Sequence, residues 1–255
     1  MYDLATRKRA LTLVAEGRSL NSVSKQTGIS RWCLRAWQQR LHPAPPRHRC
    51  PRCAVPARPP DRPEVYAYLL GLYLGDGCVS RVGRTYSLRI ACAESWPGLI
   101  TACEEAVRTI APTGRANRVR AKGCVHVSAY SNHWPCLFPQ HGPGRKHERR
   151  ILLEPWQREI VTAHPWELIR GLVHSDGCRI TNWTTRTVRG VRKRYTYPRY
   201  LFTNRSDDIL RLFTDALDAV GVGWRSTRHR CGGHSVSVAR RPSVALMDAR
   251  IGPKR

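Results

Sequence analysis

Two aspartates stand at matched places in a repeated run of this 255-residue chain. Asp76 lies in "LLGLYLGDG", residues 69–77, and Asp176 in "IRGLVHSDG", residues 169–177. Gly71, Leu72, Gly77 and Cys78 recur as Gly171, Leu172, Gly177 and Cys178. On a helix, Tyr68, Gly71, Leu72 and Gly75 share one face, as do Leu168, Gly171, Leu172 and Ser175. Small residues four apart let two backbones approach closely. A helical glycine costs about 1 kcal/mol relative to alanine, so its recurrence needs a packing reason. The two helices are therefore expected to pack together at a pseudo-twofold axis with their C-terminal ends adjacent. Gly77 and Gly177 would supply the caps and the turns into strands. Two neighbouring carboxylates at the negative ends of two helices are unfavourable unless a proton or a cation intervenes. A divalent ion with oxygen ligands, Mg²⁺ or Mn²⁺, resolves the conflict and is the tool for phosphodiester hydrolysis. A single apolar helix ending in Asp-Gly is ordinarily only a helix and a turn, but two matched copies reverse that reading.

The elements that would position these acids also repeat. After each run the pattern reads hairpin, helix, hairpin, which predicts an internal duplication of roughly ninety residues per unit. The expected domains are 1–41, helical; 42–63, a Pro-rich linker; 64–141, the first half; 142–164, a basic connector ending in a short helix; and 165–255, the second half. Residues 1–41 have the shape of a helix-turn-helix. Ser19 and Ser30 are placed to cap the second and third helices around a turn at Gly28 and Ile29. Leu20, Val23, Cys33 or Leu34, and Trp37 are expected to face inward. Arg31, Trp32, Arg35, Gln38 and Gln39 are left to enter a major groove. This segment resembles the helix-turn-helix of transposases and site-specific recombinases.

The formal net charge is +26, from 44 basic and 18 acidic residues. Such an excess fits a polyanionic partner and predicts double-stranded DNA. No apolar stretch has membrane-spanning length, and there is no N-terminal leader pattern, so a cytoplasmic, nucleoid-associated bacterial protein without a membrane partner is expected. The 10 cysteines then read as thiols or metal ligands. Cys50 and Cys53 form half of a zinc site that His42 and His48 lie close enough to complete; the other reading is a pair of reduced thiols in a linker.

The two runs resemble the LAGLIDADG motif of homing endonucleases, in the single-chain, two-motif form, over about residues 64–250. That resemblance implies an α/β (α+β) fold in which each half is αββαββα, with two saddle-shaped antiparallel sheets gripping the major groove. It implies a pseudo-symmetric monomer in which Asp76 and Asp176 bind the catalytic cations, with the backbone carbonyls of Gly75 and Ser175 beside them. The family's other frequent acid, two residues earlier, is Leu74 and His174 here. Family members also tend to place a lysine or polar residue on a strand near the metals, and aligning the halves assigns Lys122 and Arg230 to that part. Arg89, Arg118, Arg120, Arg192, Arg194 and Arg228 would be the DNA-facing supply on the sheets. Two functions follow: a divalent-cation-dependent DNA endonuclease, or a non-cleaving regulator. Some sporulation regulators join a helix-turn-helix to a LAGLIDADG domain that has lost its metal-binding acids, whereas this chain retains both.

Overall fold

A computed structural model of the protein describes residues 2–39, 41, 50, 59–111, 115–228, 233–252 and 254. The chain divides into two units, Met1–Ala54 and Val55–Arg255.

The smaller unit holds helices α1 (Leu4–Ala15), α2 (Leu20–Thr27) and α3 (Arg31–Gln39). Each begins where a side chain accepts from a free backbone N–H: Asp3 from Thr6, Ser19 from Ser22 and Ser30 from Cys33. Gly28 closes α2 at a φ of 72°, the left-handed conformation that favours glycine. Ala10, Val23, Ile29, Leu34 and Trp37 make a small core, with Leu20 and Cys33 packed at its edge. Arg31, Trp32, Arg35, Gln38 and Gln39 stay exposed on α3.

The larger unit opens with α4 (Pro63–Asp76), β1 (Gly77–Val82), β2 (Thr85–Ala93), α5 (Pro97–Ile110), β3 (Asn117–Ala121) and β4 (Cys124–Tyr130). A connector follows, carrying α6 (Trp134–Leu137), a 3₁₀ turn at Lys146–Glu148 and α7 (Pro155–Ala163). The order then repeats as α8 (Pro165–Asp176), β5 (Gly177–Val188), β6 (Val191–Asn204), α9 (Asp207–Ala219), β7 (Arg225–Arg228) and β8 (His234–Val238), closed by α10 (Arg241–Ile251). Each half has one four-stranded antiparallel sheet, ordered β1-β2-β4-β3 and β5-β6-β8-β7. No described helix is long and apolar enough to cross a membrane.

Helix α4 is buried on every side from Tyr66 to Leu74, as its unbroken apolar sequence requires. Each sheet packs one face on the helices through alternate residues. Leu88, Ile90 and Cys92 do so in β2, Val125, Val127 and Ala129 in β4, Tyr200 and Phe202 in β6, and Val236 and Val238 in β8. The other face of each sheet is open. The halves differ in reach. Strands β5 and β6 run 12 and 14 residues against 6 and 9 for β1 and β2. Since β8 pairs with β6 from Tyr200 to Asn204, the outer part of the β5–β6 hairpin is, among the described residues, a two-stranded ribbon.

Candidate cation site at the paired helix ends

Helices α4 and α8 meet backbone to backbone. A Cβ added to Gly71 would lie 2.7 Å from the Leu168 carbonyl oxygen, 2.8 Å from the Gly171 Cα and 2.8 Å from the Leu172 nitrogen. One added to Gly171 would strike the Tyr68 carbonyl oxygen and come within 2.9 Å of the Gly71 Cα. One turn on, Gly75 faces Ser175, whose hydroxyl donates to the Gly171 and Leu172 carbonyls at 3.1 and 3.0 Å and so folds back on its own helix. Gly77 and Gly177 follow, but not in the left-handed conformation expected of caps. Their φ angles are −91° and −96°, and each helix runs straight into its strand. Glycine serves there because a Cβ would press on the backbone of Tyr73 or Val173.

This packing delivers Asp76 and Asp176 to one place. An added Cβ on Gly75 would already lie 3.2 Å from Asp176 Oδ2. Asp176 is half-buried, and its Oδ2 accepts from Asn204 Nδ2 at 2.7 Å. Asp76 remains open to solvent on one side. Loss of water around the rest of it, and then the charge of Asp176, push its carboxyl up to about 6, against the pull of Lys146 and Lys254. Burial raises Asp176 as well, with the Asn204 hydrogen bond opposing it. Two carboxylates that each resist ionisation define a site short of positive charge.

Two lysines supply part of that charge. Lys146 Nζ donates to the carbonyls of Tyr73, Leu74 and Gly75 at 2.5, 3.0 and 2.7 Å, capping the end of α4. Lys254 Nζ donates to the carbonyls of Ser175 and Gly177 at 3.3 and 2.6 Å, capping the end of α8. Burial brings Lys146 down to about 8, with Asp176 and Asp76 acting in the opposite direction. Burial also lowers Lys254. Beside them a cavity of about 340 Å³ is lined by Lys146, His147, Asp176, Asn204 and Arg205 among others. Neither lysine was singled out in the sequence, although one signal existed: the chain has only six lysines against 38 arginines.

The lysine expected beside the acids sits elsewhere. Lys122 is exposed in the β3–β4 turn. Gly77 is level with Ile90 and Val127, so that turn lies several residues further along the sheet from the aspartates. Arg230 and Cys53 lie outside the described residues, as do His42 and His48; Cys50 is buried.

Strand alternation also re-sorts the expected DNA-facing arginines. Arg89 is on the open face, opposite Ser128. Arg118 pairs with Val127 and Arg120 with Val125, which puts both on the helix side. There Arg118 donates to Glu104 Oε2 at 2.8 Å. Arg192 and Arg194 share the parity of Tyr200 and Phe202, and Arg194 stacks over Trp183 at 4.8 Å on that same side. Arg228, opposite His234, follows Val236 and Val238. The basic residues on the open face of the second half are instead Arg186, Lys193, Arg199 and Arg225. A one-residue step in a strand exchanges its faces, and propensity alone does not fix that step on an edge strand or a free ribbon.

No protein-family model and no curated protein matches the chain. Among solved structures, the chain is similar to mesophilic variants of the homing endonuclease I-DmoI, with a TM-score of 0.50 and 18% identity over 74% of this chain and 90% of that one. It is similar to I-DmoI in complex with DNA and Mn at 0.50 and 14%, covering 76% and 99%. It is also similar to the N-terminal LAGLIDADG domain of DUF199/WhiA at 0.48 and 14%, covering 79% and 86%. With the αββαββ order repeated and the two motif helices packed on their glycines, the chain has the duplicated LAGLIDADG fold.

Proposed function

We propose that the protein binds double-stranded DNA across the open faces of its two sheets and hydrolyses phosphodiester bonds at Asp76 and Asp176 with a divalent cation, Mg²⁺ or Mn²⁺. The observation that carries this reading is the convergence of two aspartates whose carboxyls both resist ionisation. The oxygen donors there, two carboxylates with the Gly75 and Ser175 carbonyls, suit a hard cation. When bound, such an ion activates water and stabilises charge on the scissile phosphate. The chain's own residues do the rest. Asn204 holds the Asp176 carboxylate in one orientation. The close contact at Gly71 and Gly171 fixes the separation of the two acids. Lys146, with a pKa near 8, offers an ammonium that can bind a phosphate oxygen or give up a proton near neutral pH. Arg89, Arg186, Lys193, Arg199 and Arg225 contact the duplex from the open faces, phosphates or bases alike. The exposed row Arg31, Trp32, Arg35, Gln38 and Gln39 on α3 adds a second DNA contact of the helix-turn-helix type.

A second reading, DNA binding without cleavage, is favoured by one observation. Lys146 and Lys254 already cap both helix ends and place positive charge beside the acids. Cleavage of a DNA library in Mg²⁺ or Mn²⁺ separates the two. Double-strand cuts abolished by Asp76→Asn and by Asp176→Asn are expected. Tight binding with no cuts by the wild type, unchanged in both variants, would refute the nuclease and leave the regulator.

A further inference from the structure

We propose that Lys146 and Lys254 are built-in stand-ins for the divalent ion, holding the paired helix ends together in the cation-free protein and competing with the ion for its own ligands. The inference rests on the cation site proposed above and concerns how that site is filled.

Its basis is the choice of atoms. A buried ammonium can satisfy itself on any carboxylate, yet these two donate to backbone carbonyls at the last turns of α4 and α8. One of those acceptors is Gly75 and another is Ser175, the two carbonyls that flank Asp76 and Asp176. The arrangement is repeated at both helix ends, although neither lysine belongs to the six elements that the two halves repeat. Lys146 comes from the connector, and Lys254 follows α10 at the end of the described chain. Together they carry two positive charges, the charge of one divalent ion. Both also act on Asp76 and Asp176 through space.

Three consequences follow from elementary electrostatics. Without a cation the helix ends, each with a negative dipole and a carboxylate, are still compensated, so the fold does not require metal. An arriving divalent ion meets two ammonium groups, and it gains the Gly75 and Ser175 oxygens only by displacing them. A displaced ammonium needs a new anion. The phosphates of a bound duplex provide one, so DNA binding and cation binding assist each other, and by linkage the assistance is reciprocal.

The test uses the full chain, without DNA, and Ca²⁺ or Mn²⁺ alone as the probe. Binding is measured by titration calorimetry and by the thermal midpoint in chelator against saturating cation. Lys146→Met keeps the length of the side chain and removes its charge and donors; Lys254→Met tests the other helix end independently; Lys146→Arg keeps the charge. The methionine variants are expected to bind Ca²⁺ at least roughly tenfold more tightly than the wild type. They should melt lower in chelator and recover that loss when the cation is added. Lys146→Arg should behave as the wild type. Equal or weaker Ca²⁺ binding by both methionine variants, with a melting loss that cation does not restore, would reduce the lysines to ordinary helix caps and overturn the inference alone. Absence of cation binding in the wild type and every variant would overturn the inference and the cation site together.

Discussion

Replacing Gly71 with alanine tests the geometry on which the site depends. The new methyl would lie 2.7–2.8 Å from three atoms of α8. All three are backbone, so no rotamer change relieves the contact and the helices must separate. Overpacking of a tight interface costs about 1–3 kcal/mol, and a contact between two backbones belongs at the upper end. Alanine returns about 1 kcal/mol of helix propensity. The net destabilisation is then about 2 kcal/mol, which for a unit of this size lowers the melting temperature by about 4–8 °C. Gly171→Ala, whose methyl strikes the Tyr68 carbonyl oxygen more closely still, should lose at least as much. Scanning calorimetry of the full chain measures the first effect. Ca²⁺ titration measures the second, because separated helices hold Asp76 and Asp176 further apart and bind the ion more weakly. A melting temperature unchanged or raised in Gly71→Ala would mean that helix propensity wins and that the interface is looser than these distances say.

Two further outcomes are expected. The folded-state pKa of Asp76, about 6, lies above its ordinary value, so folding favours the protonated form and the cation-free protein loses stability as pH rises from about 4 through 6. His174, held near 4 by burial and the charges of Arg170 and Lys254, acts in the opposite direction over the same range. The measurement is therefore the difference in melting temperature between wild type and Asp76→Asn, which should widen in the variant's favour from pH 4 to pH 7 and shrink on adding Ca²⁺; a flat difference would refute it. On DNA, Arg186→Ala with Lys193→Ala should weaken binding and reduce the salt slope by about 2. Arg118→Ala, on the helix side, should leave that slope unchanged, and equal effects would mean the faces are wrongly assigned.

Much of the fold was legible because its signals are redundant. The repeated Gly-Leu-x-x-x-Asp-Gly fixed the helix pair, and alternation in runs such as Ser87–Cys92 marked the inner strands, where burial on one side forces the pattern. The caps at Ser19 and Ser30 and the turn at Gly28 marked the three N-terminal helices by residue type alone. Arginine placement failed where those signals lapse. Strand β3 is exposed along its whole length, so "NRVRA" carries no buried residue to state which side is inward; Arg118 turns inward because Glu104 of α5 meets it there. In the β5–β6 ribbon, basic and aromatic residues occupy both faces, and only register counted back from Tyr200 and Phe202 tells them apart. Lys146 and Lys254 were hidden for another reason. They reach the carbonyls at the helix ends from 71 or more residues away in sequence, and nothing local distinguishes a lysine that will cap a distant helix from one in water.

The uneven divergence of the two halves follows from what each contact demands. At a pseudo-twofold axis the same helix face meets itself, so Gly71 and Gly171 each depend on the other's lack of a side chain. A change in one copy damages the contact for both, which keeps the copies alike. Nothing of the kind links the sheets to each other. The hairpin of the second half runs 12 and 14 residues, that of the first 6 and 9. Around the acids the symmetry is already incomplete. Asp176 is tied by Asn204, an anchor that Asp76 lacks among the described residues, and Lys146 takes three carbonyls where Lys254 takes two. The repeated run is thus the part of the duplication that packing holds constant. The strands, caps and loops around it carry no such mutual constraint and differ between the halves.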